Sequence, residues 1–258
     1  MIYETLTYAV DHNVAVITLN RPRVMNALNS QMRAEITDAM GQAGQAARVV
    51  VLTGSGRAFC SGQDLGAEGN FADIDLERTL KDEYVPMLKA ITECPVPTIS
   101  AVNGPAAGAG ANLALAADVV IAAESAYFVQ AFTRIGLIPD AGGTYLLPRQ
   151  MGLAKAMGAA LFADKIYARQ ASEMGMIWES VADEKFAAQW QARAEHLASG
   201  PTETYCHVKT AIRQSFSNSE EDQLELEARL QGACGRTRDF KEGVTAFLDK
   251  RIAKFEGR

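Results

Sequence analysis

The chain has 258 residues, 48% of them hydrophobic and 22% charged, with a formal net charge of −6 and a pI near 5.2. These values predict a packed globular core and disfavour nucleic acid or an anionic membrane surface as the main partner, since both attract a basic face. The four cysteines and three histidines show no disulfide or metal-ligand spacing. Because neither a signal peptide nor an apolar run of about 18 residues is visible, we expect a cytoplasmic protein without a membrane span.

The first half of the chain alternates between short apolar runs and helical patterns. Strands are predicted at Val14–Leu19, Arg48–Thr53, Thr98–Val102 and Asp118–Ala123. A first helix follows the first strand, and either Asn29 or Ser30 can cap it. A second helix is predicted over about Leu80–Thr92, with Pro86 early in it or at a kink. The polar, acidic stretch Gly66–Thr79 before it predicts a mobile surface segment, and the whole alternation predicts a β/α core.

The pattern changes near Gly152 and becomes mostly helical. Helical patterns cover Met151–Phe162, Ala168–Ile177, Asp183–Ala198, the stretch after Pro201, the stretch after the capping-box sequence Ser219–Asp222, and Asp239–Phe255, which is basic at its end. Gly175 is predicted to end the second of these helices. The later part of the chain is therefore predicted to be a helical cap on the β/α core.

Two glycine-rich stretches each follow a predicted strand: RAFCSGQDL, residues 57–65, and NGPAAGAGANLAL, residues 103–115. The sequence GSGRAF, residues 54–59, is no dinucleotide fingerprint, because Phe59 stands where the third glycine belongs, and the chain has no phosphate-loop or GxSxG motif. A turn that enters a helix presents unpaired backbone N–H groups, and two of them aimed at one carbonyl oxygen form an oxyanion hole. For either loop alone, the simpler interpretation is that glycines permit a tight turn.

One acid, Asp140, stands in the apolar and glycine-rich sequence GLIPDAGGTYLLP, residues 136–148. An aspartate at this place can be a turn residue, a helix cap or a catalytic base. The residues by themselves leave these three roles open, and the roles are compatible with one another.

Further motifs fall in order along nearly the whole chain: ITLNRP and NALN, VVLTGSGRAFCSGQDL, PTISAVNGPAAGAGANLALAADVVIA, MGMIWESV and EGVTAFLDKR. In these motifs the chain resembles the crotonase, or enoyl-CoA hydratase/isomerase, superfamily. The resemblance implies an α/β fold with a crotonase-type ββα spiral core, residues 1–195, and a C-terminal helical trimerisation region, residues 196–258. It also implies an acyl-CoA thioester substrate, a homotrimer or a hexamer of two trimers, and no cofactor other than the coenzyme A of the substrate.

The same resemblance implies that two backbone amides, those of Gln63 and Ala109, stabilise a thioester enolate. Hydratases of this family carry two glutamates, and their positions are occupied by Asn112 and Phe132 here. An acid appears instead at Asp140, where hydratases have glycine, which is the pattern of the isomerase and dehalogenase branches. Asp140 is therefore the catalytic acid–base that the resemblance implies.

The substrate-binding residues implied in this way are Val24, Arg57, Ser61, Gly62, Asp64, Leu65, Gly110, Phe132, Phe247 and Lys250, and no metal site is implied. Residues 21–24 and 57–65 are expected along the CoA and pantetheine path, and Phe132 in the apolar wall around an aromatic acyl group. Phe247 and Lys250 are expected to reach the CoA of a neighbouring subunit. A solvated helix face explains Lys250 equally well, because charged residues flank it.

Within the family, GLIPDAGGTYLLPR and GMIWESV are most similar to isomerases of phenylacetate degradation, which convert 1,2-epoxyphenylacetyl-CoA into an oxepin-CoA. Three enzymatic alternatives stay open: a Δ3,Δ2-enoyl-CoA isomerase of fatty-acid oxidation, residual enoyl-CoA hydratase activity, and a dehalogenase with Asp140 as nucleophile. A non-enzymatic scaffold that binds CoA or RNA is a further alternative, and the acidic charge disfavours RNA.

Overall fold

A computed structural model describes residues 2–66 and 75–258 of the chain. The strands of the described residues are β1 (Leu6–Asp11), β2 (Val14–Leu19), β3 (Val49–Gly54), β4 (Thr98–Val102), β5 (Ala106–Ala107), β6 (Val119–Ala123), β7 (Tyr127–Val129), β8 (Ile166–Tyr167) and β9 (Glu179–Val181). The helices are α1 (Ser30–Ala46), α2 (Leu76–Thr79), α3 (Val85–Thr92), α4 (Ala109–Leu115), α5 (Gly143–Met151), α6 (Leu153–Phe162), α7 (Ala168–Glu173), α8 (Asp183–Ser199), α9 (Thr202–Gln214), α10 (Glu220–Cys234) and α11 (Arg238–Leu248). Together they confirm the predicted α/β class.

The main sheet of the described residues has the strand order β1-β2-β3-β4-β6-β9, and it is parallel from β2 onwards. β1 and β2 form an antiparallel hairpin through His12 and Asn13, whose φ angles of 45° and 64° suit a two-residue type I′ turn. A separate small sheet has the order β5-β7-β8. Because neighbouring parallel strands end at the same edge, β3 and β4 deliver the two glycine-rich loops side by side.

The buried strand β3 shows why the apolar runs form a sheet covered on both faces. Its residues Val49 to Leu52 are all buried, and both α1 and α8 contact the strand. Of the two candidate caps of α1, Asn29 is the one that acts, since its side chain accepts a hydrogen bond of 2.9 Å from the Met32 amide. The four strands predicted in the first half of the chain are confirmed as β2, β3, β4 and β6.

The helix predicted over about Leu80–Thr92 is present but begins earlier. The helix α2 precedes a π-helical turn, Leu80–Tyr84, which continues directly into α3 with Pro86 near its start. The extra residue of a π turn accommodates the ring and the missing N–H of Pro86. Within the segment Gly66–Thr79, which is predicted to be mobile, Leu76–Thr79 form α2 with Asp75 as cap, and the mobility stays a prediction. Residues 67–74 lie outside the described residues.

The later part of the chain is mostly helical, as predicted, with three differences. The short strands β8 and β9 lie in it, and β9 pairs with β6 of the main sheet. Helix α5 was not predicted. The closing helix ends at Leu248 and not at Phe255, because the chain turns back at Lys250, whose φ is 55°. The buried carboxylate of Asp239 then accepts hydrogen bonds of 2.7 Å from the amides of Glu256 and Gly257.

The remaining large-scale predictions concern domains and membranes. The division between residues 195 and 196 falls inside α8, and it stays a prediction, as does the trimerisation role of the helices after it. Across residues 2–66 and 75–258, no helix combines the length and apolar character that crossing a bilayer requires.

Gly110 lies in a tightly packed part of the core beside Cys60, and Gly158, also in a helix, serves as a comparison in open space. A Cβ atom at Gly110 would overlap the carbonyl oxygen of Cys60 and lie 2.7 Å from its Sγ, whereas at Gly158 it would meet nothing within 4 Å. We expect Gly110→Ala to lower the free energy of unfolding by roughly 1–3 kcal/mol through overpacking. The matched change Gly158→Ala should raise it by about 0.4–1 kcal/mol. Urea unfolding of both variants checks this, and equal effects would contradict it.

Candidate active site

A cavity of about 290 Å³ lies where the two glycine-rich loops meet the PDAGG turn. Its lining comprises Ser61, Gly62, Gln63, Leu65, Leu76, Thr79, Leu80, Tyr84, Gly108, Ala109, Ala131, Phe132, Arg134, Ile135, Leu137 and Asp140. Most of these side chains are apolar, so the few polar groups define the chemistry that the cavity can support.

The two loops are joined by backbone contacts that leave no room for side chains. Cys60 and Ala106 form a parallel bridge, and the Ala107 amide donates to the Cys60 carbonyl over 2.9 Å. At Gly62, where φ is 93°, a Cβ atom would lie 2.8 Å from the carbonyl oxygen of Ala107 and 3.5 Å from the amide nitrogen of Ala109. Glycine is therefore required at this position by both its conformation and its neighbours.

Two backbone amides border the cavity from these loops. Ala109 is the first residue of α4, and a helix leaves the N–H groups of its first turn without an internal acceptor. Gln63 forms a parallel bridge with Leu28. The two hydrogen bonds of this bridge join Leu28 to the neighbours of Gln63: the Leu28 amide donates to the Gly62 carbonyl, and the Asp64 amide donates to the Leu28 carbonyl. The Gln63 amide is thus directed to the other side of its segment, where residues 107–109 run.

The side chain of Gln63 is held by a buried arginine that the sequence did not reveal as part of the site. Arg33 is 0% exposed, and its Nη1 donates to the Gln63 Oε1 over 2.7 Å, while the Tyr84 hydroxyl donates to the same oxygen. Arg33 also forms an ion pair of 2.7 Å with Glu83 and lies 4.8 Å from the Tyr84 ring centre. The sequence does carry one signal that Arg33 is buried: it directly follows Met32 in α1, within the stripe of apolar residues that faces the core.

Asp140 reaches the cavity from the turn before α5. Its backbone carbonyl accepts hydrogen bonds from the Gly143 amide, at 2.8 Å, and from Asn112 Nδ2, at 2.7 Å. Its carboxyl oxygen Oδ1 is buried without a hydrogen-bond partner. Burial raises the pKa of Asp140 to about 6, and a hydrogen bond from its own backbone N–H offsets only part of this effect. A carboxyl group with this pKa can accept and return a proton near neutral pH.

The cavity brings together seven of the residues that the sequence predicted. They are Asp140, Gln63, Ala109, Ser61, Gly62, Leu65 and Phe132. The residues Tyr84, Leu80 and Leu137 also line it and were missed. Tyr84 and Leu80 come from a helical segment without a motif, and Leu137 lies in the sequence GLIPDAGGTYLLP, of which only the acid was assigned to the site.

Four other predicted residues are not part of the lining. The Val24 carbonyl accepts a bond of 3.2 Å from the Ser61 hydroxyl, and Asp64 pairs with Arg21 at 2.7 Å. Gly110 packs against Cys60, and the Arg57 side chain is exposed. Their contacts with a substrate stay a prediction.

The last two predicted residues lie far along the chain. Phe247 is 82% exposed at the end of α11, and Lys250 follows in the turn. Neither lines the cavity, and their contact with a neighbouring subunit stays a prediction. Among residues 2–66 and 75–258, no group of three or more His, Cys, Asp or Glu residues could hold a metal ion.

Comparison with known proteins identifies relatives over the full length of the chain. Residues 9–258 match the model of the family described as enoyl-CoA hydratase/isomerase. A protein of Rhodobacter capsulatus named a probable enoyl-CoA hydratase is 60% identical over 100% of both chains. The 1,2-epoxyphenylacetyl-CoA isomerase of Escherichia coli is 45% identical over 96% of this chain and 97% of its own. A crystal structure from Mycobacterium abscessus, named for the same hydratase/isomerase activities, superimposes with a TM-score of 0.93 at 37% identity, covering 98% of this chain and 100% of that one.

The raised pKa of Asp140 predicts an unusual pH dependence of stability. Between its ordinary pKa of 3.8 and about 6, the native state binds the proton more tightly than the unfolded state, so the stability contribution of Asp140 falls as pH rises through this range. We expect Asp140→Asn, which removes the buried charge, to raise the melting temperature at pH 7.5 and to lose this advantage near pH 4.

Scanning calorimetry across this pH range checks the prediction. Asp164→Asn, at an exposed position, serves as control and should show no such trend. A gain that is independent of pH, or a loss at pH 7.5, would count against the burial of a charged Asp140.

Proposed function

The chain belongs to the enoyl-CoA hydratase/isomerase family, and we propose that it isomerises an acyl-CoA thioester through an enolate, with Asp140 as the acid–base. Members of this family act on CoA thioesters. The observation that carries the proposal is one cavity that is lined both by Asp140, a carboxyl group of raised pKa, and by Gln63 and Ala109 of the two loops.

In the proposed reaction, the thioester carbonyl binds between the Gln63 and Ala109 amides. When a proton leaves the carbon next to the thioester, the electron pair moves onto the carbonyl oxygen. Each backbone donor aimed at that oxygen is worth about 2.7–4 kcal/mol of barrier lowering. Because both amides belong to rigidly bridged segments, they need little rearrangement as the charge develops.

Asp140 supplies the proton transfer. Its carboxylate takes the proton from one carbon, becomes a carboxylic acid, and returns the proton to another carbon of the connected π-system. The substrate gains and loses one proton, so neither water nor a redox partner is consumed. A pKa of about 6 suits both halves of this task, because the group is mostly ionised at neutral pH and still holds a proton readily.

The surroundings of Asp140 favour isomerisation over hydration. Among the described residues that line the cavity, Asp140 is the one carboxylic acid. The hydratase glutamates are replaced by Asn112, whose side chain bonds the Asp140 carbonyl, and by Phe132, which is buried in the wall. Addition of water across a double bond calls for two placed acid–base groups, and this cavity offers one.

For the acyl group, we propose the aromatic epoxide of 1,2-epoxyphenylacetyl-CoA. The E. coli isomerase of that name is 45% identical to this chain. The described wall around Asp140 contains Phe132, Leu80 and Leu137, which suit a ring. The cavity volume of about 290 Å³ among the described residues is close to the roughly 300 Å³ at which typical ligand pockets begin.

A second candidate is a Δ3,Δ2-enoyl-CoA isomerase, since the same amides and the same carboxylate would move a double bond along an aliphatic chain. The exposed apolar side chains of Ile135 and Leu76 at the cavity wall favour such a chain if it extends outwards. Residual hydration is the third candidate, which the name of the R. capsulatus relative supports.

Replacement of the proposed base tests the mechanism. We expect Asp140→Asn to bind acyl-CoA with little change in Kd and to lose about 10²–10⁴-fold in kcat. In the wild type, kcat/KM should fall as pH drops through about 6, because a protonated carboxyl cannot accept a proton. Asp164→Asn should remain fully active. Near-normal turnover by Asp140→Asn would overturn the assignment, and a covalent ester on Asp140 seen by mass spectrometry would indicate nucleophilic chemistry instead.

A panel of substrates tests the acyl group. We expect 1,2-epoxyphenylacetyl-CoA to be converted with the highest kcat/KM, 3-enoyl-CoAs with a lower value, and crotonyl-CoA to be hydrated least. Absorbance assays on one enzyme preparation give all three values. A preference for 3-enoyl-CoA would select the second candidate, and efficient hydration of crotonyl-CoA would contradict the single-carboxylate mechanism.

A further inference from the structure

Two buried amide side chains form a connected path to the backbone of Asp140. Asn112, which is 0% exposed, donates from Nδ2 to the Asp140 carbonyl over 2.7 Å. Gln130, which is 1% exposed, donates from Nε2 to the Asn112 Oδ1 over 2.9 Å. Asn112 belongs to α4 and Gln130 follows β7, so the path that ends at the Asp140 carbonyl runs through two separate elements.

The order of the two hydrogen bonds gives the Asn112 amide a single orientation. Because Gln130 donates to Oδ1, the other end of the amide, Nδ2, is the end that faces Asp140. If the amide were reversed, its oxygen would face the Asp140 carbonyl and two acceptors would repel each other. The Asp140 carbonyl, which can only accept, thus sets the orientation of the Asn112 amide, and Gln130 supplies the donor for the Oδ1 that this orientation turns away from Asp140.

The turn around Asp140 needs to be held. Ala141 has a φ of 47°, a left-handed conformation that costs a non-glycine residue energy. The Gly143 amide donates to the Asp140 carbonyl at 2.8 Å, beside the Asn112 bond. A Cβ atom at Gly143 would overlap Asn112 Nδ2 and lie 2.9 Å from Cγ, so the Asn112 amide packs directly against the start of α5.

Stability by itself does not explain this pair of side chains. The Gln130 Oε1 is buried and has no hydrogen-bond partner, which makes the path costly for folding. An apolar residue of similar size would remove this oxygen but would leave Asn112 Oδ1 without its donor, so the Gln130 side chain is explained by its bond to Asn112.

We propose that Asn112 and Gln130 are positioning residues, which fix the backbone of Asp140 so that its carboxylate stays inside the cavity at a set place relative to the oxyanion-hole amide of Ala109. Asn112 lies in the same helix as Ala109, one turn further on, so α4 carries both the amide and the anchor of the base. The catalytic part of this inference rests on the proposed function of Asp140.

The first variant is Asn112→Ala, which removes the bond to the Asp140 carbonyl. We expect kcat to fall by about 10²-fold, because a displacement of a reacting group by about 1 Å is enough for such a loss, with KM changed by less than about 3-fold. The carboxyl group should also become better solvated, so its pKa should move from about 6 towards 3.8, as measured by carbon-13 NMR of labelled aspartate.

The second variant, Gln130→Met, separates positioning from stability. It removes the buried oxygen without a partner, but it also removes the donor to Asn112 Oδ1, so its two effects on the free energy of unfolding oppose each other, while kcat and the pKa of Asp140 should both fall. The matched control is Gln150→Met, because Gln150 also has a buried Oε1 without a partner and bonds α4 at its other end, at the Leu115 carbonyl over 3.3 Å. This control should leave kcat and the pKa of Asp140 unchanged.

The outcomes distinguish this inference from the proposed function. If Gln130→Met keeps the wild-type pKa of Asp140, the positioning role is overturned, whether or not Asn112→Ala folds. If the pKa falls but kcat stays unchanged while Asp140→Asn is inactive, the catalytic part of the role is overturned. If Asp140→Asn is active, the proposed function fails. The NMR titration still tests whether Asn112 and Gln130 anchor the carboxylate, because measuring the pKa of Asp140 requires no turnover.

Discussion

The close contact between the two glycine-rich loops is the constraint on which the site depends. Each loop offers the other a residue without a side chain: a Cβ atom at Gly62 would lie 2.8 Å from the Ala107 oxygen, and one at Gly110 would lie 2.7 Å from the Cys60 Sγ. The bridge between Cys60 and Ala106 sets the register of the contact. Because β3 and β4 are parallel neighbours, both loops emerge at one edge of the sheet, and the amides of two distant segments can then border one cavity.

The anchoring of Asp140 through its backbone explains how a buried carboxyl group can stay reactive. Asn112 and Gly143 bond the carbonyl oxygen and not the carboxylate, whose Oδ1 has no hydrogen-bond partner. A carboxylate paired with an arginine is in general stabilised in its charged form and becomes a weaker base, and Asp140 has no such partner in the described contacts. The turn is therefore held firmly while the proton affinity of its side chain is raised, at a cost in stability near neutral pH.

Much of the framework could be predicted from local patterns. The runs Val14–Leu19 and Thr98–Val102 are β-branched or apolar and end at glycine, asparagine or proline, which is why their bounds were correct. The strand β1 was missed because it is an edge strand with mostly exposed residues and no apolar alternation. The closing helix was predicted too long because the chain turns back at Lys250, and the amides of Glu256 and Gly257 then bond the buried Asp239 near the start of the helix, a contact without a local signature.

The chemistry available to the site is a local property and could be read from the chain: glycines that allow close loops, a helix start that leaves amides unpaired, and one acid in an apolar turn. The contacts between these groups, in contrast, join residues that are far apart in the sequence. Asn112 joins residues 28 and 18 positions away, and Arg33 reaches Gln63 across 30 positions. The energy of such buried polar contacts depends on whether partners arrive at hydrogen-bonding distance. The packing of α1, α4 and the loops around the sheet decides that, so the anchors of the site became visible in the folded chain.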